Sequence, residues 1–295
     1  MDSIRVLDGI IADVRSPPVS AAIPLPAAPA APSPRSEPEP SLPAAPRQPL
    51  PALSVEPASL AARTLPPTRA LWLDDTYLFH ADARVLAVAP TADGNGWAVA
   101  LNQTCFHPQG GGQPADAGVL RPSDGGAAFT VSTMVRLDKA SGVVWHEGPG
   151  GADPPLTVGT RVACAIDAAR REQLARLHSA GHLLDAAMTA AGCALVPAKG
   201  YHFSPGSYVE YAGKLGATQR EELLPRLKAE MDRLVARAEA TRVWLDEAGR
   251  RMVSIGGAVC PCGGTHVRSA ADIGKVNVDG IKVKGNVTRV SYSLI

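Results

Sequence analysis

Two short segments hold the side chains best suited to bind a metal ion. His178-Ser179-Ala180-Gly181-His182 places two imidazoles four residues apart. On a helix that spacing sets them one turn apart on the same side, able to share one ion. Cys262-Gly263-Gly264-Thr265-His266 adds a thiol and a third imidazole in a glycine-rich stretch expected to be a loop. The glycines let the backbone bend until both side chains face one point. Thiolate and imidazole are ligands that zinc favours, and His178, His182, Cys262 and His266 make a complete tetrahedral set for one Zn2+ per chain. Cys260 is open to three readings: a competing ligand, a redox partner of Cys262, or a bystander. The residue after the first histidine is Ser179. HExxH metalloproteases need their glutamate base there, so peptide hydrolysis by that route is disfavoured.

A third segment is Gly110-Gly111-Gly112-Gln113-Pro114-Ala115-Asp116. It lacks the Lys-Ser/Thr of a P-loop and the G-x-G-x-x-G spacing of a dinucleotide site. Taken alone it is a turn signal.

These residues need elements to hold them. Leu174, Leu177, Gly181, Leu184, Met188 and Ala191 recur at steps of three and four, which predicts a helix with Asp167 as N-cap and Gly192 as its stop. Both histidines fall at the edge of its apolar stripe. A second helix is expected from a capping box at Thr218-Gln219-Arg220-Glu221, with Pro225 kinking it or delaying its start. Upstream, Val85–Val88, Trp97–Leu101, Val131–Val135 and Val143–Trp145 read as short strands, punctuated by Asp93-Gly94-Asn95-Gly96 and Asp124-Gly125-Gly126. Downstream, Val243–Leu245, Val276–Val278, Ile281–Val283 and Arg289–Leu294 read as strands, with Asp279-Gly280 as a hairpin signal. The fold class is α+β: a small β-barrel over 71–165 carrying the Gly-rich segment, then an α+β domain over 166–295 with helices against an antiparallel sheet. Residues 1–70 are expected to be a disordered Pro/Ala-rich tail, since the stretch from Ser16 to Pro67 holds more than half of the 27 prolines.

Hydrophobic residues make up 45 % of the 295, enough for a core, and the net charge of +1 excludes a histone-like polycation. Five cysteines at irregular spacing point to a reduced, cytoplasmic setting rather than a disulfide framework. No apolar run reaches 18 residues, so no membrane span is expected. Asp2, Asp8 and Asp13 argue against a mitochondrial presequence.

Thr104 to Gly118, His178-x3-His182 and Cys262-Gly-Gly-Thr-His266, in that order, resemble the three signatures of the editing region of alanyl-tRNA synthetases and of free-standing AlaX-type proteins. Lys199-Gly200-Tyr201-His202-Phe203 and Tyr208-Val209-Glu210-Tyr211 resemble AlaX-type proteins too, so the similarity covers about Leu71 to Ile295. The resemblance implies a medium-length AlaX type whose zinc is held by His178, His182, Cys262 and His266. It implies hydrolysis of the ester joining serine or glycine to tRNA(Ala). Neither ATP use nor alanine–tRNA ligase activity is expected, because the chain has no room for an aminoacylation core.

Serine and glycine differ from alanine by one small group, which an apolar pocket separates only modestly. Gly111, Gly112, Gln113, Lys199, His202 and Thr265 are the expected substrate-binding residues. Ala198 stands where the synthetase relatives commonly carry a polar residue. RNA would be held mainly through its phosphates, with Lys275, Lys282, Lys284 and Arg289 as one candidate patch and Arg170, Arg171 and Arg176 as another. His80, His107 and His146 are expected to be structural or surface residues. Two alternatives stand beside this reading: editing of another tRNA such as Ser-tRNA(Thr), and a non-catalytic RNA-binding adaptor with a structural zinc.

Overall fold

The computed structural model describes residues 65–295, all within one compact unit; most of the expected tail lies outside the described residues. Residues 65–70, inside the expected tail, already belong to the fold. Thr68 donates to the Leu101 carbonyl at 2.8 Å and accepts from the Val144 amide at 3.0 Å. The two-residue β1 (Arg69–Ala70) leads through a 310 turn at Leu71–Leu73 into β2 (His80–Pro90), β3 (Gly96–Leu101) and β4 (Gln103–Thr104), which pairs in parallel with β1. There follow β5 (Gly118–Pro122), β6 (Phe129–Val131), β7 (Met134–Leu137), β8 (Val144–Pro149) and β9 (Arg161–Ile166). The expected single strand over Val131–Val135 is thus two, broken at Ser132-Thr133.

Seven of these strands form one antiparallel sheet in the order β6-β5-β9-β2-β3-β8-β7. It curls until β6 packs beside β8, a nearly closed barrel around Val99, Leu101, Phe106, Leu120 and Val162. Along β2 burial alternates at Ala83, Val85 and Ala87, as a strand with one dry face requires. In contrast, β3 buries Ala98 to Leu101 in succession, because Ala100 packs outside the barrel core with Ala87, Val143 and Leu65.

The helical half follows. Helix α1 (Ala168–Ala190) starts where expected, with the Asp167 side chain accepting from the Arg170 amide. It ends as Gly192 and Cys193 donate back to the Thr189 and Met188 carbonyls. Strands β10 (Val196–Tyr201) and β11 (Tyr208–Ala212) make a hairpin. Helix α2 (Ala217–Ala236) starts one residue before Thr218 and carries Pro225 inside it. Its cap is Gly216, whose amide donates to Gln219, so Thr218 does not cap. Strands β12 (Arg242–Leu245), β13 (Arg251–Ile255) and β14 (Ala258–Pro261) form a three-stranded sheet, and β15 (Val276–Lys284) and β16 (Val287–Leu294) complete a four-stranded one, β10-β11-β16-β15. Asp279-Gly280 makes no hairpin. β15 runs straight through it with a register shift between Val278 and Gly280, a bulge, and the chain reverses after Lys284. Both helices cover one face of this sheet, over Leu183, Leu227, Met231, Tyr211 and Tyr292. Neither is long and apolar enough to cross a membrane.

Candidate metal centre

Helix α1 delivers His178 and His182, and the loop after β14 delivers Cys262 and His266. The four offer ligand atoms that all lie within 4.8 Å of one another. Cys262 Sγ sits 3.5 Å from Nε2 of His178 and 3.5 Å from Nε2 of His266. Zinc bonds of about 2.0–2.3 Å in a tetrahedron would place N and S ligand atoms about 3.5 Å apart. Nε2 of His182 is buried with no hydrogen-bond partner, a lone pair left over for an ion. Burial holds all three imidazoles neutral, pushing His182 down to about 4 and driving His178 and His266 well below their ordinary value. Burial also raises the Cys262 thiol, so its anion needs a positive partner. The donor set and spacing fit zinc.

The loop is gripped from several sides. Arg251 donates to the carbonyls of Cys262 and Gly264 at 2.7 and 3.3 Å and to that of Leu73 at 3.2 Å. Trp72 donates to the Gly263 carbonyl, and Thr76 Oγ1 accepts from the His266 amide. Gly264 passes so close to His178 that a Cβ there would overlap the imidazole, so glycine is required by the approach itself.

Behind the cluster stands Gln113, fully buried. Its carbonyl oxygen accepts from His178 Nδ1 at 2.7 Å and from the Thr265 amide at 3.1 Å, and its NH2 donates to Thr265 Oγ1 at 2.8 Å. The proton of His178 is thereby held on Nδ1, leaving Nε2 for the metal. His202 stacks on His178 at 4.5 Å between ring centres. Its Nδ1 donates to Tyr292 OH at 2.6 Å, and that hydroxyl donates to the Leu177 carbonyl. The Gly112 carbonyl accepts from the His202 amide, and a Cβ on Gly112 would strike the Gly200 carbonyl. The Gly-rich segment therefore lies directly against Gly200 at the end of β10 and His202 just after it.

Of the expected substrate residues, Gly112, Gln113, His202 and Thr265 are brought to the cluster. Gly111 is exposed at the tip of the loop, and Lys199 is exposed on β10, opposite Glu210, away from the buried cluster. Cys260 lies beside the ligands rather than among them, its Sγ 3.4 Å from His182 Nδ1. Arg171 is not available to RNA. It is fully buried, paired with Asp116, and donates to the Thr76 carbonyl at 2.7 Å. Its place on the apolar stripe, three residues before Leu174 and seven before His178, carried that signal in the sequence. Arg170 and Arg176 also donate to backbone carbonyls, those of Ala115 and Ile273. His107 and His146 are buried structural residues, as expected, while His80 is exposed. His146 Nδ1 donates to the Val99 carbonyl and Nε2 accepts from Thr104.

A family model described as the threonyl and alanyl tRNA synthetase second additional domain matches residues 251–291, from β13 through the Cys262–His266 loop and β15 into the first part of β16. The chain is 32 % identical over 257 residues to an alanine–tRNA ligase of Methanoculleus marisnigri, covering 79 % of this chain and 26 % of that protein. It is 30 % identical over 256 residues to one of Methanopyrus kandleri, covering 78 % and 26 %. It is 40 % identical over 120 residues to one of Caldivirga maquilingensis, covering 41 % and 12 %. The chain spans about a quarter of the length of the first two relatives. By that domain match and by homology over about four fifths of its length, the chain is related to a segment of the alanyl-tRNA synthetases.

Proposed function

We propose that this chain hydrolyses the ester of mischarged tRNA(Ala), seryl- and glycyl-tRNA(Ala), in trans in the cytoplasm. The observation that carries the reading is the coupling of the His178, His182, Cys262 and His266 cluster to the Gly-rich segment through Gln113. In this reading those four side chains hold Zn2+, residues 166–295 are the editing domain, and the barrel presents the Gly-rich segment to it.

An aminoacyl ester is an activated acyl group, so positioning plus modest activation suffices. A zinc ion bound there supplies Lewis-acid polarisation and a fixed positive charge. Gln113 holds His178 in one tautomer. His202, anchored through Tyr292, walls the side where Gly112 and Gly200 meet. Half-buried His182 and Cys262 mark the more open side of the cluster. Thr265 Oγ1 accepts from Gln113, and its own proton is the donor we assign to the serine hydroxyl. A site that hydrogen-bonds that hydroxyl discriminates far better than an apolar one.

The test is release of serine from seryl-tRNA(Ala) by purified protein, beside alanyl-tRNA(Ala). Serine released with alanine retained supports editing. Release of neither sinks the hydrolase reading in favour of an RNA-binding adaptor.

A further inference from the structure

The outer face of the four-stranded sheet carries a feature the hydrolysis does not use. Residues directly opposed across antiparallel strands share a face. Tyr201 and Tyr208 are so opposed, as are Lys199 with Glu210, Glu210 with Arg289, and Arg289 with Lys282. The other face buries Val209, Tyr211, Val290 and Tyr292 beneath the helices. On the outer face the rings form a ladder. Phe203 stacks on Tyr201 at 4.5 Å between ring centres and Tyr201 on Tyr208 at 5.0 Å, with interplanar angles of 19° and 16°. Arg289 closes one end, its guanidinium 3.7 Å from the Tyr208 ring centre, and is bonded to Glu210 at 2.6 Å. With Glu210 so engaged, Lys199, Lys282 and Lys284, all exposed, leave this face an excess of positive charge.

The other end of the ladder leads toward the metal cluster. Phe203 lines a cleft of about 420 Å³ with Gln109, Pro114, Arg170, Gln173 and Leu177. Pro114, Leu177 and Phe203 are the chain neighbours of Gln113, His178 and His202. The cleft thus adjoins the cluster across the wall those three side chains make.

We propose that this surface binds an unpaired RNA 3′ end, with a base stacked on Phe203 in the cleft and the phosphates passing Lys199, Lys282 and Lys284. The inference rests on the reading of the chain as acting on aminoacyl-tRNA and adds where the acceptor strand lies. An antiparallel sheet backed by helices, with aromatic rings on its open face, is a surface on which unpaired RNA bases stack. Such stacking needs no particular base, since each has a π-face. The lysines are spaced along strands, as a backbone track requires. The excess of positive charge favours a polyanion over an apolar peptide.

The test is a fluorescence-anisotropy titration of the full chain with a hairpin RNA bearing a four-nucleotide unpaired 3′ end, and with the same hairpin cut blunt. The wild type is expected to bind the overhang form at least about tenfold more tightly, since each stacked base is worth roughly 5- to 150-fold. Phe203→Leu should remove that preference while melting like the wild type. Lys282→Gln with Lys284→Gln should flatten the salt dependence by about one to two in the slope of log K against log salt. Equal binding of the two hairpins by the wild type, or unaltered preference and salt slope in both variants, would overturn the proposal. Seryl-tRNA(Ala) release is measured on the same proteins. Overhang preference without release supports this surface and counts against hydrolysis; release with binding indifferent to the overhang counts against this surface alone.

Discussion

Gln113 decides how the metal cluster is held, and it does so from the barrel rather than from the elements that carry the ligands. One oxygen takes two buried N–H groups, from His178 and Thr265. Truncating Gln113 to alanine would leave both donors unpaired in a dry site, at about 1–3 kcal/mol for a buried group without its partner. It would also free His178 to rotate or change tautomer. Loss of such an outer hydrogen bond typically weakens metal binding roughly 10- to 100-fold. We expect Gln113→Ala to lose zinc to a competing chelating dye at correspondingly lower dye concentration, and Gln113→Glu, which keeps an acceptor, to lose less. Equal zinc affinity in all three proteins would sink this account. Nothing in the sequence distinguished a glutamine facing substrate from one facing a histidine, because the difference lies in a contact 65 residues away.

At the scale of elements, the join between α1 and the Gly-rich segment is the buried pair of Arg171 and Asp116. The carboxylate accepts from both the guanidinium and the His107 amide, at 2.6 Å for the latter. Removing one partner strands a buried charge, which costs about 3–5 kcal/mol, whereas replacing both with apolar groups is often near neutral. Arg171→Leu is therefore expected to lower the urea midpoint sharply, and Arg171→Leu with Asp116→Leu to recover part of the loss. The His107 amide, left without its acceptor, keeps the recovery incomplete. A double variant less stable than either single one would contradict this.

Why some elements were legible in the sequence follows from the same physics. Helix α1 was readable because one solvent-averse stripe, one N-cap and one stop agree. β10 was not, since Val196-Pro197-Ala198-Lys199 shows no alternation and every one of those residues is exposed. It is a strand because β11 gives it partners. Asp279-Gly280 misled because the pair also suits a bulge, and only the pairing of β15 with β16 on both sides of it selects that outcome. The metal ligands were legible as types and spacing. Their meeting was expected from those types and spacings, and the structure brings the four together. What was not legible is the grip of Arg251, Trp72 and Thr76 that holds the loop to the helix.

For the whole molecule, acid is the lever that reads the burial of its histidines. Burial depresses His146 to about 4 and His107 to about 3, from an ordinary 6.5. The unfolded chain therefore binds protons that the folded chain refuses as pH falls below 6.5. Stability is full above that pH, drops through the window down to about 4 for His146 and about 3 for His107, and changes no further from these groups below it. For His146 alone the loss by pH 4 is on the order of 3 kcal/mol. Asp185 works the other way. Burial raises its carboxyl to about 6, so the fold takes up a proton there that the unfolded chain does not, and is relieved as pH falls from 6 toward 3.8. Two histidines with larger displacements outweigh one carboxyl, so the net expectation is destabilisation by acid. In zinc-saturated protein the urea midpoint should fall between pH 7 and pH 5. His146→Gln, which keeps an amide to meet Thr104 and Val99, should be less stable at pH 7 but shallower in its pH dependence by close to one proton. A midpoint that rises on acidification, or a variant whose slope matches the wild type, would show that these rings are not held neutral by the barrel around them.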